Sequence, residues 1–235
     1  MKIFAHRGLS SLYPENTILA FEKALEYKID GVETDVQLTK DNKAVIIHDE
    51  MLDRTTGVHG FVKDFTLEEI KKLNANNKKE GVHRIPTLDE FLDLFVDRKD
   101  LIINLELKTS IFEYEGIEEI VYDSMKKHNL LDNIIISSFN HESLLRFKKI
   151  DESIKTAVLT ADRIVNVEEY VKSLGCSAYH PLFATVKKDR IDKAHSLGLD
   201  VNVWTIDDEM YLNMVKQMGV DTVMTNCCNK FSEKL

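Results

Sequence analysis

Apolar and polar positions along this chain fall into two rhythms that alternate from end to end. Short runs rich in Val, Ile and Thr, in which every second residue shares a face, read as strands. They cover Lys2–His6, Gly31–Gln37, Ala44–His48, Leu101–Leu107, Asn133–Ser138, Thr156–Thr160, Cys176–Tyr179, Asp200–Thr205 and Asp221–Thr225. Between them, apolar residues at helical spacing predict helices over Thr17–Tyr27, Leu88–Phe95, Gly116–His128, Glu142–Ile150, Val167–Leu174, Lys188–Leu197 and Glu209–Met218. Such alternation is the pattern of a parallel α/β protein. The runs KSLGCSAY, HSLGLDVNVW and KQMGVDTVMT repeat one junction, a glycine that closes a helix just before a strand. Gly175, Gly198 and Gly219 stand 23 and 21 residues apart, the length of one helix–strand unit. Roughly eight units in a chain near the usual ~250 residues predict a closed (β/α)8 TIM barrel. An open doubly wound sheet is the weaker alternative, since no GxGxxG follows an early strand.

Residues 50–86 break the rhythm, and we read them as an insertion after the second strand, on the rim where βα loops gather, and not as a second domain with its own core. No Pro-rich or Ser/Gly-rich linker divides the 235 residues, so a single domain is expected.

One strand is at odds with its setting. In VETDVQLTKDNKAVIIHD, Glu33 and Asp35 share a face among residues that favour burial, and the stretch closes on His48 and Asp49. INLELK repeats the pattern with Asn104, Glu106 and Lys108 on one face and Leu105 and Leu107 on the other. Barrel active sites sit at the C-terminal ends of the strands, where these acids fall. Three carboxylates converging in low dielectric repel unless one is protonated or a cation joins them. An all-oxygen set suits a hard ion, Mg²⁺ or Ca²⁺. His6 and His48 end strand-like runs beside the same acids and are candidates for a general acid–base pair. Arg7 and Lys108 add positive charge for a phosphate.

Composition narrows the partners. A net charge of −9 argues against a nucleic-acid binder, and the densest basic run, Lys78-Lys79 near His83 and Arg84, is short and broken by Glu80. Cys176, Cys227 and Cys228 are an odd set without a CxxC, and Met1 leads into KIFAHRG without a long apolar run. The expectation is a cytoplasmic protein with no stable membrane insertion; a homodimer is left open.

The runs AHRGLSSLYPENTILAF and GVETDVQLTKDNKAVIIHDEMLDRTTG, followed in order by IPTLDEFL, LELK, SSFN, VNVWTID and GVDTVMTN, resemble the glycerophosphodiester phosphodiesterase family over residues 3 to about 226. The resemblance implies a metal-dependent barrel that hydrolyses small glycerophosphodiesters to glycerol 3-phosphate and an alcohol. It implies Glu33, Asp35 and Glu106 as metal ligands, His6 and His48 as the acid–base pair, and Arg7 and Lys108 as phosphate contacts. The chain departs from the family where Asn226, Cys227 and Cys228 follow Thr225 in place of the family's Asp and Pro, which bears on a rim contact of the last loop.

Several residues have a plainer reading. Phe139 and Trp204 are core aromatics by default and, at strand ends, candidates for the floor of a glycerol pocket. Asn16 in PENT reads as a helix cap, and Asp49 and Arg54 as braces for His48. His59, His83, His128, His141, His180 and His195 receive no function. Two alternatives stand beside the hydrolase: a lysophospholipase D using Met51, Leu52, Val58, Phe61, Val62 and Phe65 as an apolar rim, and a non-catalytic barrel that binds phosphodiesters.

Overall fold

The computed structural model describes residues 1–76 and 81–235, so Lys78, Lys79 and Glu80 of the basic run lie outside it. Nine strands are described: β1 (Lys2–His6), β2 (Gly31–Leu38), β3 (Ala44–Ile46), β4 (Ile102–Leu107), β5 (Ile134–Ser138), β6 (Lys155–Thr160), β7 (Ala178–Pro181), β8 (Asp200–Val203) and β9 (Thr222–Thr225). The sheet runs β1-β9-β8-β7-β6-β5-β4-β2-β3, and β1 also pairs with β2. Eight parallel strands therefore close on themselves, the expected (β/α)8 barrel.

The ninth strand corrects the sequence reading. Ala44–His48 is not a parallel barrel strand: β3 stops at Ile46 and runs antiparallel to β2, with Val36 opposite Ile46 and Leu38 opposite Ala44. A short turn after Leu38 allows only a hairpin, because a parallel return needs a crossover of a dozen residues or more. The insertion then builds on this hairpin. Leu52, Val62, Ile70, Ala75 and Ile85 pack on Val45 and Ile47 as a small cluster separate from the main core. Five apolar side chains of the insertion thus leave water in a small cluster shared with the hairpin.

Helices α1 (Ile18–Ala24), α2 (Asp53–Thr56), α3 (Leu67–Ile70), α4 (Leu88–Asp93), α5 (Ile117–Lys127), α6 (His141–Ile150), α7 (Val167–Ser173), α8 (Lys188–Ser196), α9 (Glu209–Met218) and α10 (Cys228–Phe231) fill the connections. Local chemistry sets their starts: Thr66 with Glu69 and Thr87 with Glu90 form capping boxes on α3 and α4. Gly175, Gly198 and Gly219 adopt φ of 69°, 74° and 88°, the left-handed turns the repeated junction predicts.

Outward strand residues such as Val32, Val36, Ile103 and Leu105 meet Phe21, Phe91, Phe95, Val121 and Phe147 in the main core. Phe91 lies 4.6 Å from Phe21 and 5.0 Å from Phe95, centroid to centroid. Inside the barrel, Ile135, Ala157 and Ala178 form an apolar layer, so the polar chemistry is confined to the layers nearer the strands' C-terminal ends. Gly31 faces inward there, and a Cβ on it would lie 2.3 Å from the Ile102 carbonyl oxygen and 2.7 Å from the Phe4 ring. Gly31→Ala is therefore expected to cost roughly 1–3 kcal/mol by overpacking, read as a fall in the urea midpoint at unchanged m value. None of the helices among the described residues is long and apolar enough to cross a membrane.

Candidate active site

Barrel closure brings the sequence candidates to one mouth. Strand register sets Asp35 beside Glu106 and His6 beside Glu33. Glu33, Asp35 and Glu106 each offer a carboxylate oxygen within 4.8 Å of the others. All three are buried, Asp35 completely. Burial and the Asp35 charge push the Glu33 carboxyl well above its ordinary range. Burial also raises Glu106, partly offset by Lys108. Burial pushes Asp35 the same way, but Arg7, His48 and Lys108 outweigh it and hold that carboxyl well below the usual range. Two acids resist ionisation beside a third that is ionised, which is the strain a divalent cation would relieve. Asp35 Oδ1 is buried without a hydrogen-bond partner, while Oδ2 accepts from Asn16 Nδ2 at 2.8 Å. The free oxygen and the all-carboxylate donor set fit a hard divalent ion.

Both histidines are held by Nδ1. His48 Nδ1 lies 2.6 Å from Asp49 Oδ1, and its Nε2 lies 3.3 Å from Lys108 Nζ. An ammonium only donates, so Nε2 carries the lone pair and Nδ1 the proton. Lys108 also donates to Glu106 Oε1 at 3.0 Å. His6 Nδ1 lies 2.7 Å from Asn226 Oδ1, and its Nε2 lies 3.6 Å from Glu33 Oε2. Burial, then the Arg7 charge, lowers the His6 pKa to about 4.

The cations are anchored on acids. Arg7 donates from Nη1 to Glu15 Oε1 at 2.9 Å, and its Nε lies 3.3 Å from Asp35 Oδ2. Arg54 donates to both Glu15 oxygens, at 2.6 and 2.7 Å, and to Asp49 Oδ2. A chain of paired charges thus runs from Arg7 through Glu15, Arg54 and Asp49 to His48, as expected of Asp49 and Arg54. Phe139 and Trp204 stand edge to face at 5.6 Å beyond the ends of β5 and β8, and Trp204 Nε1 donates to the His180 carbonyl at 3.0 Å.

Asn16 corrects the sequence reading. Thr17 caps α1, accepting from the Ala20 amide at 3.3 Å. Asn16 is buried with φ 56°, accepts from Thr34 Oγ1 at 2.8 Å and steers Asp35. Its signal was its residue type, since Asn tolerates the left-handed turn that aims the side chain inward. Sequence reasoning also missed Gln37, whose Nε2 lies 2.8–3.1 Å from the carbonyls of Ile47, His48 and Asp49, and whose Oε1 accepts from Tyr114. It missed Asn226 and Asp207 as well. His180 is buried in the barrel, Nε2 2.8 Å from Asn202 Nδ2, and burial lowers its pKa to about 3.

A polar cavity of about 390 Å³ opens beside His6 and Arg7, bounded also by Ser10, Glu15, Asp207 and Asn226. Larger hollows of about 450 and 540 Å³ lie elsewhere, against Leu88 and Ile120 and against His83 and Glu90. They contain neither His6 nor Arg7, so volume alone does not mark the site.

Residues 6–230 match the model of the glycerophosphoryl diester phosphodiesterase family. A glycerophosphodiester phosphodiesterase of Bacillus altitudinis is 42% identical over 230 residues, 96% of this chain and 94% of that protein. One from Caldanaerobacter subterraneus subsp. tengcongensis is 43% identical, over 95% and 93%. Among solved structures, an Oleispira antarctica phosphodiesterase in complex with its product sn-glycerol-3-phosphate superposes with a TM-score of 0.91. It is 28% identical, over 98% of this chain and 94% of that one.

Proposed function

The chain belongs to the glycerophosphoryl diester phosphodiesterase family and is a phosphoric diester hydrolase, and from that premise we propose a metal-dependent reaction that converts glycerophosphodiesters to sn-glycerol 3-phosphate and an alcohol. The observation that carries the metal is the buried trio Glu33, Asp35 and Glu106 with its unpaired Asp35 oxygen. These residues would hold Mg²⁺ or Ca²⁺, which when bound would offset the charge growing on the phosphoryl oxygens.

The remaining work falls to side chains. Arg7 and Lys108 sit at the edges of the trio and supply the positive charge that grips a phosphodiester. His6 and His48 share the proton transfers. The His6 partner is a neutral amide and its neighbour is a cation, so it suits accepting a proton from the attacking hydroxyl. His48 is held at Nδ1 by the Asp49 carboxylate, so its Nε2, on exchanging the Lys108 contact for a proton, would give that proton to the leaving alcohol. As the new P–O bond forms, the bond to the head-group alcohol breaks, and that oxygen leaves protonated. The same pair serves whether the attacker is water or a glycerol hydroxyl of the substrate, in which case water then opens the cyclic phosphate. Phe139 and Trp204 complete the proposal as an apolar wall for the glycerol carbons.

The test is release of sn-glycerol 3-phosphate from glycerophosphocholine and glycerophosphoethanolamine with added Mg²⁺ or Ca²⁺. Product formation under neither ion would reject the reading, and binding without product would favour the phosphodiester-binding barrel. Among the six apolar insertion residues, Leu52 and Val62 are buried in the satellite cluster, and only Met51 and Phe61 are exposed, at 37% and 36%. That leaves little rim for an acyl chain, so lysophosphatidylcholine is expected to turn over more slowly than its deacylated head group. All three cysteines are free and buried, which supports a reducing, cytoplasmic setting.

A further inference from the structure

The side chain that holds His6 is itself held. Asn226 Nδ2 donates to Asp207 Oδ2 at 2.7 Å, and the Asn226 backbone N–H donates to Asp207 Oδ1 at 2.7 Å. Thr225 Oγ1 donates to that same oxygen at 3.0 Å. Asp207 as a carboxylate only accepts, so it fixes which end of the amide is NH₂ and turns Oδ1 toward the imidazole. Ser10 Oγ lies 2.8 Å from both Asn226 Oδ1 and the His6 carbonyl oxygen, and its one proton is shared between them. An imidazole with one N–H has two tautomers, and the neighbour of one nitrogen selects between them. Here the selected form places the proton on Nδ1 and the lone pair on Nε2, toward the carboxylate trio.

We propose that Asp207 and Asn226 form a positioning pair, in which the carboxylate orients the amide and the amide locks His6 in its Nδ1–H tautomer, so that Nε2 faces the reacting phosphodiester. The tautomer lock stands on hydrogen-bond geometry alone, and its effect on rate rests on the acid–base role proposed for His6. Asn226 and Asp207 touch no reacting atom in this scheme and act through the ring. Both also bound the cavity beside His6, on the Nδ1 side of the ring.

The experiment reads the ring directly. In the full chain with isotopically labelled histidine, the nitrogen shifts of His6 are assigned by their absence in His6→Gln and recorded at neutral pH. Wild type is expected to show a protonated Nδ1 and a bare Nε2. Asn226→Ala is expected to average the two nitrogens and to lower kcat roughly 10- to 100-fold, the range seen when a histidine loses its orienting partner, with KM little changed. The double exchange Asp207→Asn/Asn226→Asp keeps one amide, one carboxylate and an acceptor on His6, and is expected to restore both the Nδ1–H signal and most of kcat. An Nδ1–H signal that survives Asn226→Ala overturns the inference whatever the activity does. If the signal is lost while kcat is retained, the lock stands and the acid–base role of His6 fails. A double exchange that folds, binds substrate and still lacks the Nδ1–H signal also overturns the pairing.

Discussion

Replacing His48 or His6 with alanine is expected to lower kcat/KM for glycerophosphocholine by roughly 10²- to 10⁴-fold, the usual contribution of a positioned acid or base. The two losses should not add. Both imidazoles serve one turnover, one taking a proton as the other gives one, so the double variant is expected to be little slower than the worse single. His48 is partly exposed just past the end of β3, its side chain 29% accessible, so its removal leaves the core packed. A thermal midpoint near wild type in His48→Ala separates lost chemistry from lost fold. Initial rates over a substrate series give the answer, and wild-type turnover in both single variants would discard the acid–base assignment.

Chelation is expected to have the second large effect, removing activity and lowering stability in a way that depends on pH. Glu33 and Glu106 both have folded pKa values above their ordinary 4.5. Without a cation, the folded chain therefore keeps protons that the unfolded chain has released, and stability falls as pH rises from the ordinary carboxylate range through the raised values. Asp35 has the opposite sign: its depressed folded pKa contributes stability above 3.8 that is lost as pH falls toward the folded value. A divalent ion binds the ionised trio, so it competes with protons and its effect grows with pH. At a hundred times the dissociation constant the ion contributes about 2.7 kcal/mol, or roughly 5–10 °C of melting temperature for a chain of this size. Melting curves at pH 5 and pH 8, with EDTA and with added Mg²⁺ or Ca²⁺, check this. A cation shift absent at pH 8, or larger at pH 5, contradicts a metal held by these three acids.

Much of the barrel is legible in the amino-acid sequence by itself. Glu33 and Asp35, and likewise Asn104 and Glu106, share a face because a strand alternates its side chains, a property of the backbone and not of the fold. The helix–strand junctions at Gly175, Gly198 and Gly219 are legible for a similar reason, since a left-handed turn favours glycine wherever it occurs. Three acids at the ends of two strands are enough to expect a cation.

What the local pattern does not carry is direction and partnership. Ala44–Ile46 has the composition of a barrel strand, yet pairs antiparallel outside the barrel, because the short turn after Leu38 and the pairing with β2 decide its direction. Asn16 reads as a cap because its neighbours begin a helix, and only the approach of β2 makes it the partner of Asp35. His6 and Asn226 are 220 residues apart and meet because the last strand lies against the first when the barrel closes. Periodicity is set by bond geometry within a few residues and can be read from sequence alone. Contacts between chain ends depend on how the whole sheet closes, so the holding of His6 by Asn226 was decided by the tertiary structure, whereas the brace of Asp49 on its neighbour His48 was legible in the sequence.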